Sequence, residues 1–212
     1  MEDLNILQKG VLTLARKDRR INNIIEKFGF PNDEPLKGGF RTLLRMILGQ
    51  QISVKVADSI WSKIESLKPI NEENILNLPD KTLNDIGLSR QKISYAKDLA
   101  NKIISKDLVL NDLKKLSSDK AHNKLISVKG IGDWTAEIYR LFVLCDLNSF
   151  PKGDIAVQEG ARIYFNLKDR PKPNELIELV KSWEPLKGAG ALVMWQIYRL
   201  EVREGISSNF YE

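Results

Sequence analysis

Apolar positions along this chain recur at threes and fours rather than in alternation, a period that predicts helices almost throughout. Leu4, Leu7, Val11, Leu12 and Leu14 set the spacing, and Leu43, Leu44, Ile47 and Leu48 repeat it. Helices are expected over residues 3–16, 20–27, 40–66, 71–78, 80–86, 89–105, 119–127, 133–146, 155–165, 173–183 and 189–204, with Gly49 placed to interrupt the longest. Punctuation agrees with these limits: Pro31, Pro35 and Gly38-Gly39 mark one loop, Pro69 ends a helix, and Pro171 and Pro173 separate the last elements. Connections this short suit a compact helical bundle.

With 212 residues, 42% of them hydrophobic and 29% charged, the chain can bury a core in one or two lobes, which excludes disordered and collagen-like classes. Its apolar runs, such as Leu141 to Leu144, fall far short of the roughly 20 residues of a membrane span. Glu2, Asp3 and Asn5 do not resemble a signal peptide, so a soluble intracellular protein is expected. A single cysteine, Cys145, rules out an intramolecular disulfide and any multi-cysteine metal or iron–sulfur site, and its apolar neighbours predict a core thiol. His122 is the only histidine and has no nucleophile patterned around it, so it is read as a surface or helix-end residue rather than part of a triad. Trp61, Trp183 and Trp195 lie on apolar stripes and read as core. The net charge of +5, from 33 basic and 28 acidic residues, leaves attraction for a polyanion to local clustering.

Two glycine turns separate helices, one at Gly87-Leu88-Ser89 and one at Gly130-Ile131-Gly132. In the second, glycine allows positive φ and close approach of a partner, and the helix opening at Asp133-Trp134-Thr135-Ala136 directs its first amides and positive dipole end outward. A phosphate would be held there. A plain C-cap glycine followed by an N-cap aspartate would give the same pattern.

The stretch from Leu125 to Ala136, LISVKGIGDWTA, resembles the helix-hairpin-helix motif of the HhH-GPD DNA glycosylase superfamily. Phe150-Pro151-Lys152-Gly153-Asp154-Ile155-Ala156-Val157 resembles the loop and aspartate that follow the hairpin in that family, at matching spacing from Gly132, and Leu44 to Ser53 resembles its early segment with paired glutamines. Closest is the alkylpurine, 3-methyladenine DNA glycosylase II branch. The resemblance covers roughly residues 40 to 200 and implies an all-α fold of two lobes with a DNA-binding cleft between them. It implies a single unit over 1–212, with a central lobe near 40–150 carrying the motif at 125–137, and a second lobe from 1–39 plus 151–212.

As an N-cap, Asp154 would stay ionised in the field of its helix, and an anion beside a sugar is what N-glycosidic cleavage requires as positive charge builds on the deoxyribose. The resemblance makes Asp154 the catalytic carboxylate, with Asp146, Asp133 and Glu159 as lesser candidates. Family members that also cut the backbone carry a lysine just after the hairpin's second glycine, where this chain has Trp134, so base removal without lyase chemistry is expected. Trp134, Phe40 and Tyr139 are the expected walls of a pocket for an extruded alkylated purine, with Phe30 also considered, and Gln51 or Gln50 the residue that fills the hole in the duplex. One departure is Leu186, which follows Trp183-Glu184-Pro185 where some bacterial members have a second pocket tryptophan, so the substrate range could be narrower or shifted.

Lys129, Gly130, Ile131, Gly132, Thr135 and Lys152 are candidate contacts to the DNA backbone, with Lys55 as a further cation. Damaged double-stranded DNA is the expected partner of a monomer, in the cytoplasm of a prokaryote or the nucleus of a eukaryote. No cofactor is implied, although a monovalent ion on the carbonyls of Ser127, Val128 and Gly130 would fit the resemblance. Three readings compete with alkylpurine removal: the same scaffold acting on uracil, mismatched thymine or an oxidised purine, a hairpin module that binds DNA without catalysis, and a helical protein-interaction scaffold.

Overall fold

The computed structural model describes residues 4–206, and among them it is all-α, with no strand. Twelve α-helices succeed one another: α1 (Ile6–Ala15), α2 (Arg19–Phe28), α3 (Phe40–Leu48), α4 (Val54–Ser66), α5 (Glu72–Asn77), α6 (Asp80–Asp85), α7 (Arg90–Ile104), α8 (Ser118–Ile126), α9 (Asp133–Phe142), α10 (Ile155–Tyr164), α11 (Pro173–Leu179) and α12 (Lys187–Tyr198). Most begin at a residue that suits an N-cap. Asn5 and Gln8 form a capping box on α1, and the side chains of Asp18, Ser53, Asn71, Ser89 and Asp154 accept the first amides of α2, α4, α5, α7 and α10.

The chain divides into two compact units, and the boundary falls inside α9. One comprises residues up to Pro35 together with those from Arg140 onward; the other runs from Leu36 to Tyr139. In the first unit α12 is apolar on nearly every face and buried from Gly188 to Met194, and against it pack Leu7, Val11 and Leu14 of α1 and Val157 and Ala161 of α10. Helices α10 and α12 meet backbone to backbone: a Cβ added at Gly160 would collide with the carbonyl of Met194. At the edge of this core Asp18 accepts from the indole of Trp183 at 3.2 Å, and the Arg20 guanidinium lies 4.4 Å from the centre of the Tyr164 ring.

The second unit buries Leu43, Leu44 and Ile47 of α3, Ile60, Trp61 and Ile64 of α4, and Ile93, Ala96 and Leu99 of α7. Each set follows the 3.6-residue period read from the sequence. The interruption near Gly49 is real, and residues 49–53 form a turn between α3 and α4. A 3₁₀ turn over Leu110–Lys115 had no periodic signal to reveal it. Residue 3, where the first helix was expected to begin, lies outside the described residues, and α1 starts at Ile6 because Asn5 caps it. Helix α9 stops at Phe142 rather than 146, so Cys145 falls in the following connection with φ 56° and is half-buried instead of a core thiol. Among the described residues no helix is long and apolar enough to cross a membrane.

Candidate active site

The hairpin in the second unit is built from α8, the turn 127–132 and the start of α9. Gly130 has φ 84°, and a Cβ there would run into the ring of Tyr95 on α7, so conformation and packing each demand glycine. The Ile131 amide donates to the Val128 carbonyl at 3.1 Å, which closes the turn, and its side chain is buried. The Lys129 amide donates to Asp98 Oδ2 at 2.8 Å, while its side chain reaches solvent. Gly132 is exposed, and nothing lies within 4 Å of where its Cβ would stand. His122 and Asp133 meet at 2.9 Å across the hairpin, so the lone histidine sits on α8 in contact with the first residue of α9.

The turn after α3 lies beside the hairpin in the same unit. Gln50 Nε2 donates to the Gly130 carbonyl at 2.8 Å and to Thr135 Oγ1 at 2.9 Å, whereas Gln51 is exposed with φ 57°. Gln50 is therefore turned inward as a strut between two turns, and only Gln51 is presented outward. A cavity of about 700 Å³ is lined here by Gln50, Gln51, Ile52, Gly130, Gly132 and Trp134, among others.

Several expected contacts are corrected by this geometry. Thr135 is 2% exposed with its hydroxyl accepting from Gln50, and Ile131 has its amide spent within the turn, so neither offers its group to a phosphate. Of the three expected pocket walls, Trp134 is 44% exposed, but Phe40 and Tyr139 are 6% and 1% exposed and turn no ring face to solvent. Burial raises the Tyr139 hydroxyl above the usual phenol range, partly offset by a hydrogen bond with the Gly39 backbone. Both aromatics follow the apolar stripe of their helix, and that signal does not distinguish a pocket wall from a core residue.

In the first unit, the loop before α10 is held by backbone bonds from Lys152 to the Phe150 carbonyl and from Asp154 to that of Pro151, and by Gln158 Nε2 on the Lys152 carbonyl at 2.8 Å. Asp154 is half-buried at the head of α10. Its Oδ1 accepts from the Val157 amide at 3.0 Å and from the indole Nε1 of Trp195, on α12, at 3.1 Å. These two donors fix the direction of the carboxylate. Trp195, expected in the core, is half-buried and tilts against Phe142 at 5.8 Å between ring centres. Its stripe position hid that role, and the one available signal was an indole donor that needs a partner when buried. The lesser carboxylates are engaged elsewhere: Asp146 with Arg140 at 2.6 Å, Glu159 with Arg162 at 2.7 Å, and Asp133 with His122.

A family model described as HhH-GPD superfamily base excision DNA repair protein matches residues 44–185, which takes in both turns and the Asp154 loop. The chain belongs to the HhH-GPD superfamily. Among its curated relatives, a putative DNA-3-methyladenine glycosylase of Bacillus subtilis, YfjP, is 32% identical over 74% of this chain, which spans 58% of that relative's length. The alkylbase DNA glycosidase-like protein mag2 of Schizosaccharomyces pombe is 26% identical, with 88% of this chain and 92% of that protein aligned. A solved DNA-3-methyladenine glycosidase of Bacillus halodurans is 28% identical and superposes with a TM-score of 0.82 over 92% of this chain and 91% of its own.

Within this HhH-GPD chain the Val128 and Gly130 carbonyls accept one hydrogen bond each, from the Ile131 amide and the Gln50 side chain, and a carbonyl oxygen keeps a second lone pair. Among the described residues no group of three or more histidine, cysteine, aspartate or glutamate side chains could hold a metal.

Proposed function

We propose that this HhH-GPD protein is a monofunctional DNA glycosylase that removes alkylated purines such as 3-methyladenine and 7-methylguanine from duplex DNA during base excision repair. The observation that carries the reading is Asp154, a carboxylate fixed at a helix start by Val157 and Trp195 in the segment the superfamily model matches. The names of the relatives, DNA-3-methyladenine glycosylase and alkylbase DNA glycosidase, support the substrate class.

In the proposed reaction the damaged nucleotide swings out of the duplex and Gln51 enters the gap it leaves. The extruded base stacks on Trp134, whose electron-rich ring favours a cationic alkylpurine over a neutral one. The C1′–N bond then breaks, its electron pair leaves with the base, and a cationic purine departs neutral. Asp154 stabilises the oxocarbenium-like sugar and orients the water that adds to C1′, and the water's proton passes to the Asp154 carboxylate and on to solvent. Gly132, Lys129 and Lys152 serve the DNA backbone. Trp134 occupies the position of the lyase lysine, so the product is an intact abasic strand. The protein acts alone as a monomer, wherever the cell keeps its DNA.

The test is release of free base from duplexes carrying single lesions, with native protein and Asp154→Asn side by side and abasic sites revealed by hot alkali. Release of alkylated purines by the native protein alone, with no strand trapped by borohydride, is the expected result. Release of uracil, thymine or an oxidised purine instead would redirect the substrate assignment. Duplex binding with no release from any lesion would leave a binding module.

A further inference from the structure

One face of α7 touches both of the turns that the proposed function assigns to DNA. Lys92, Tyr95 and Asp98, spaced by three along that face, each hold a different point. Lys92 Nζ donates to the Leu48 carbonyl at 2.6 Å, at the end of α3, where the turn carrying Gln51 begins. Tyr95 lies under Gly130, and Gln91 donates to its hydroxyl at 2.6 Å. Asp98 receives the Lys129 amide. Gln50 closes the circuit from the other side by joining the turn directly to Gly130 and Thr135.

The chemistry of each joint is specific. A carbonyl in the last turn of a helix lacks an intrahelical partner and sits at the negative end of the dipole, so an ammonium is the group that best satisfies it. Partial burial lowers the Lys92 amine from its usual range, and the Leu48 carbonyl is the acceptor that geometry gives it. Gln51, a residue with a side chain, adopts a left-handed backbone, a conformation that persists only where its surroundings over-determine it. Helix α7 can supply that constraint because Ile93, Ala96, Leu99 and Ala100 bury its adjoining face.

We propose that Lys92 is a positioning residue for base extrusion: by holding the end of α3 it presents Gln51 at a fixed place relative to the hairpin, without touching DNA. The proposal rests on the glycosylase reading for the role of Gln51, but not on the identity of the lesion or on catalysis. It distinguishes gripping the strand, which the hairpin does, from filling the duplex, which needs the brace.

The experiment reads insertion of the plug directly. A duplex carries a tetrahydrofuran abasic analogue with 2-aminopurine opposite it, and the rise in 2-aminopurine fluorescence on binding is compared for native protein, Gln51→Ala, Lys92→Met and Lys92→Arg. Lys92→Met is expected to lose at least about half of the rise, as Gln51→Ala does, while duplex affinity changes by less than about threefold. Lys92→Arg, which keeps a cation within reach, is expected to retain it. A native-sized rise in Lys92→Met, or an equal loss in Lys92→Arg, overturns the proposal. Should Lys92→Met lower the melting temperature below the assay temperature, the comparison is repeated at a lower temperature where the variant is folded, and a native-sized rise there overturns the proposal equally. Base release from an alkylated duplex is measured in parallel. A native protein that releases no base yet gives the rise loses the excision reading and keeps the brace.

Discussion

Helices α9 and α10 begin in opposite ways. The residue before α10 is Asp154, whose own carboxylate accepts the Val157 amide, so the positive end of that helix meets an anion the protein supplies. Before α9 stands Gly132, which has no side chain to offer and open space where a Cβ would be. On the proposed function the same dipole is used twice: at α10 to hold a charge for chemistry, and at α9 to leave room for a charge that arrives with the DNA. A helix start that the chain caps itself and one that it leaves bare therefore carry different information, although both read as glycine- and aspartate-rich turns in sequence.

The largest test of this contrast is at the filled end. Asn at position 154 caps a helix as well as Asp and can still accept from Trp195, so Asp154→Asn should keep its melting temperature while single-turnover base release falls by at least about 100-fold. Next comes the pair of hairpin glycines. Gly130→Ala meets both a left-handed φ and the Tyr95 ring, and thermal denaturation should show a loss of about 2 kcal/mol or more. Gly132→Ala should leave stability within about 0.5 kcal/mol yet weaken duplex binding roughly tenfold by anisotropy, since a methyl group enters the space assigned to phosphate. Unchanged affinity in Gly132→Ala would erase the distinction between the two helix starts.

Smaller effects sharpen the picture. Trp195→Phe removes one donor from Asp154 and keeps most of the ring, so the rate of base release should fall by about tenfold, with little change in duplex affinity. Lys129→Ala should cost only a few-fold in affinity at moderate salt and lower the slope of log affinity against log salt by about one, measured by titration across salt concentrations.

The helical period, the glycine turns and the order of motifs were legible because each is local: a repeat of threes and fours, a turn between two caps, an aspartate opening a helix. Direction was not. Gln50 and Gln51 are adjacent and chemically identical, and what separates them is that one reaches Gly130 and Thr135, eighty or more positions away in sequence. Phe40 and Tyr139 were read as pocket walls because aromatics on an apolar stripe carry no mark of whether they face a void or a neighbour. Trp195 failed in the opposite sense, as a stripe residue whose indole finds a carboxylate 41 positions upstream. Lys92 offered nothing at all, since a lysine in a helix reads as solvated until the carbonyl it covers is known.

The crossing of α10 and α12 at Gly160 sets the geometry of the Asp154–Trp195 pair. Asp154 lies six residues from that crossing, about 9 Å along the helix axis, and Trp195 is the neighbour of the Met194 carbonyl that Gly160 touches. The crossing is thus a fulcrum: prising the two helices apart by the width of one methyl group would pull on the 3.1 Å bond between Trp195 and Asp154. On the proposed function, a packing change at Gly160 would therefore also be felt in base release. A Gly160 variant is then expected to lose stability and base release together, whereas Asp154→Asn loses base release alone.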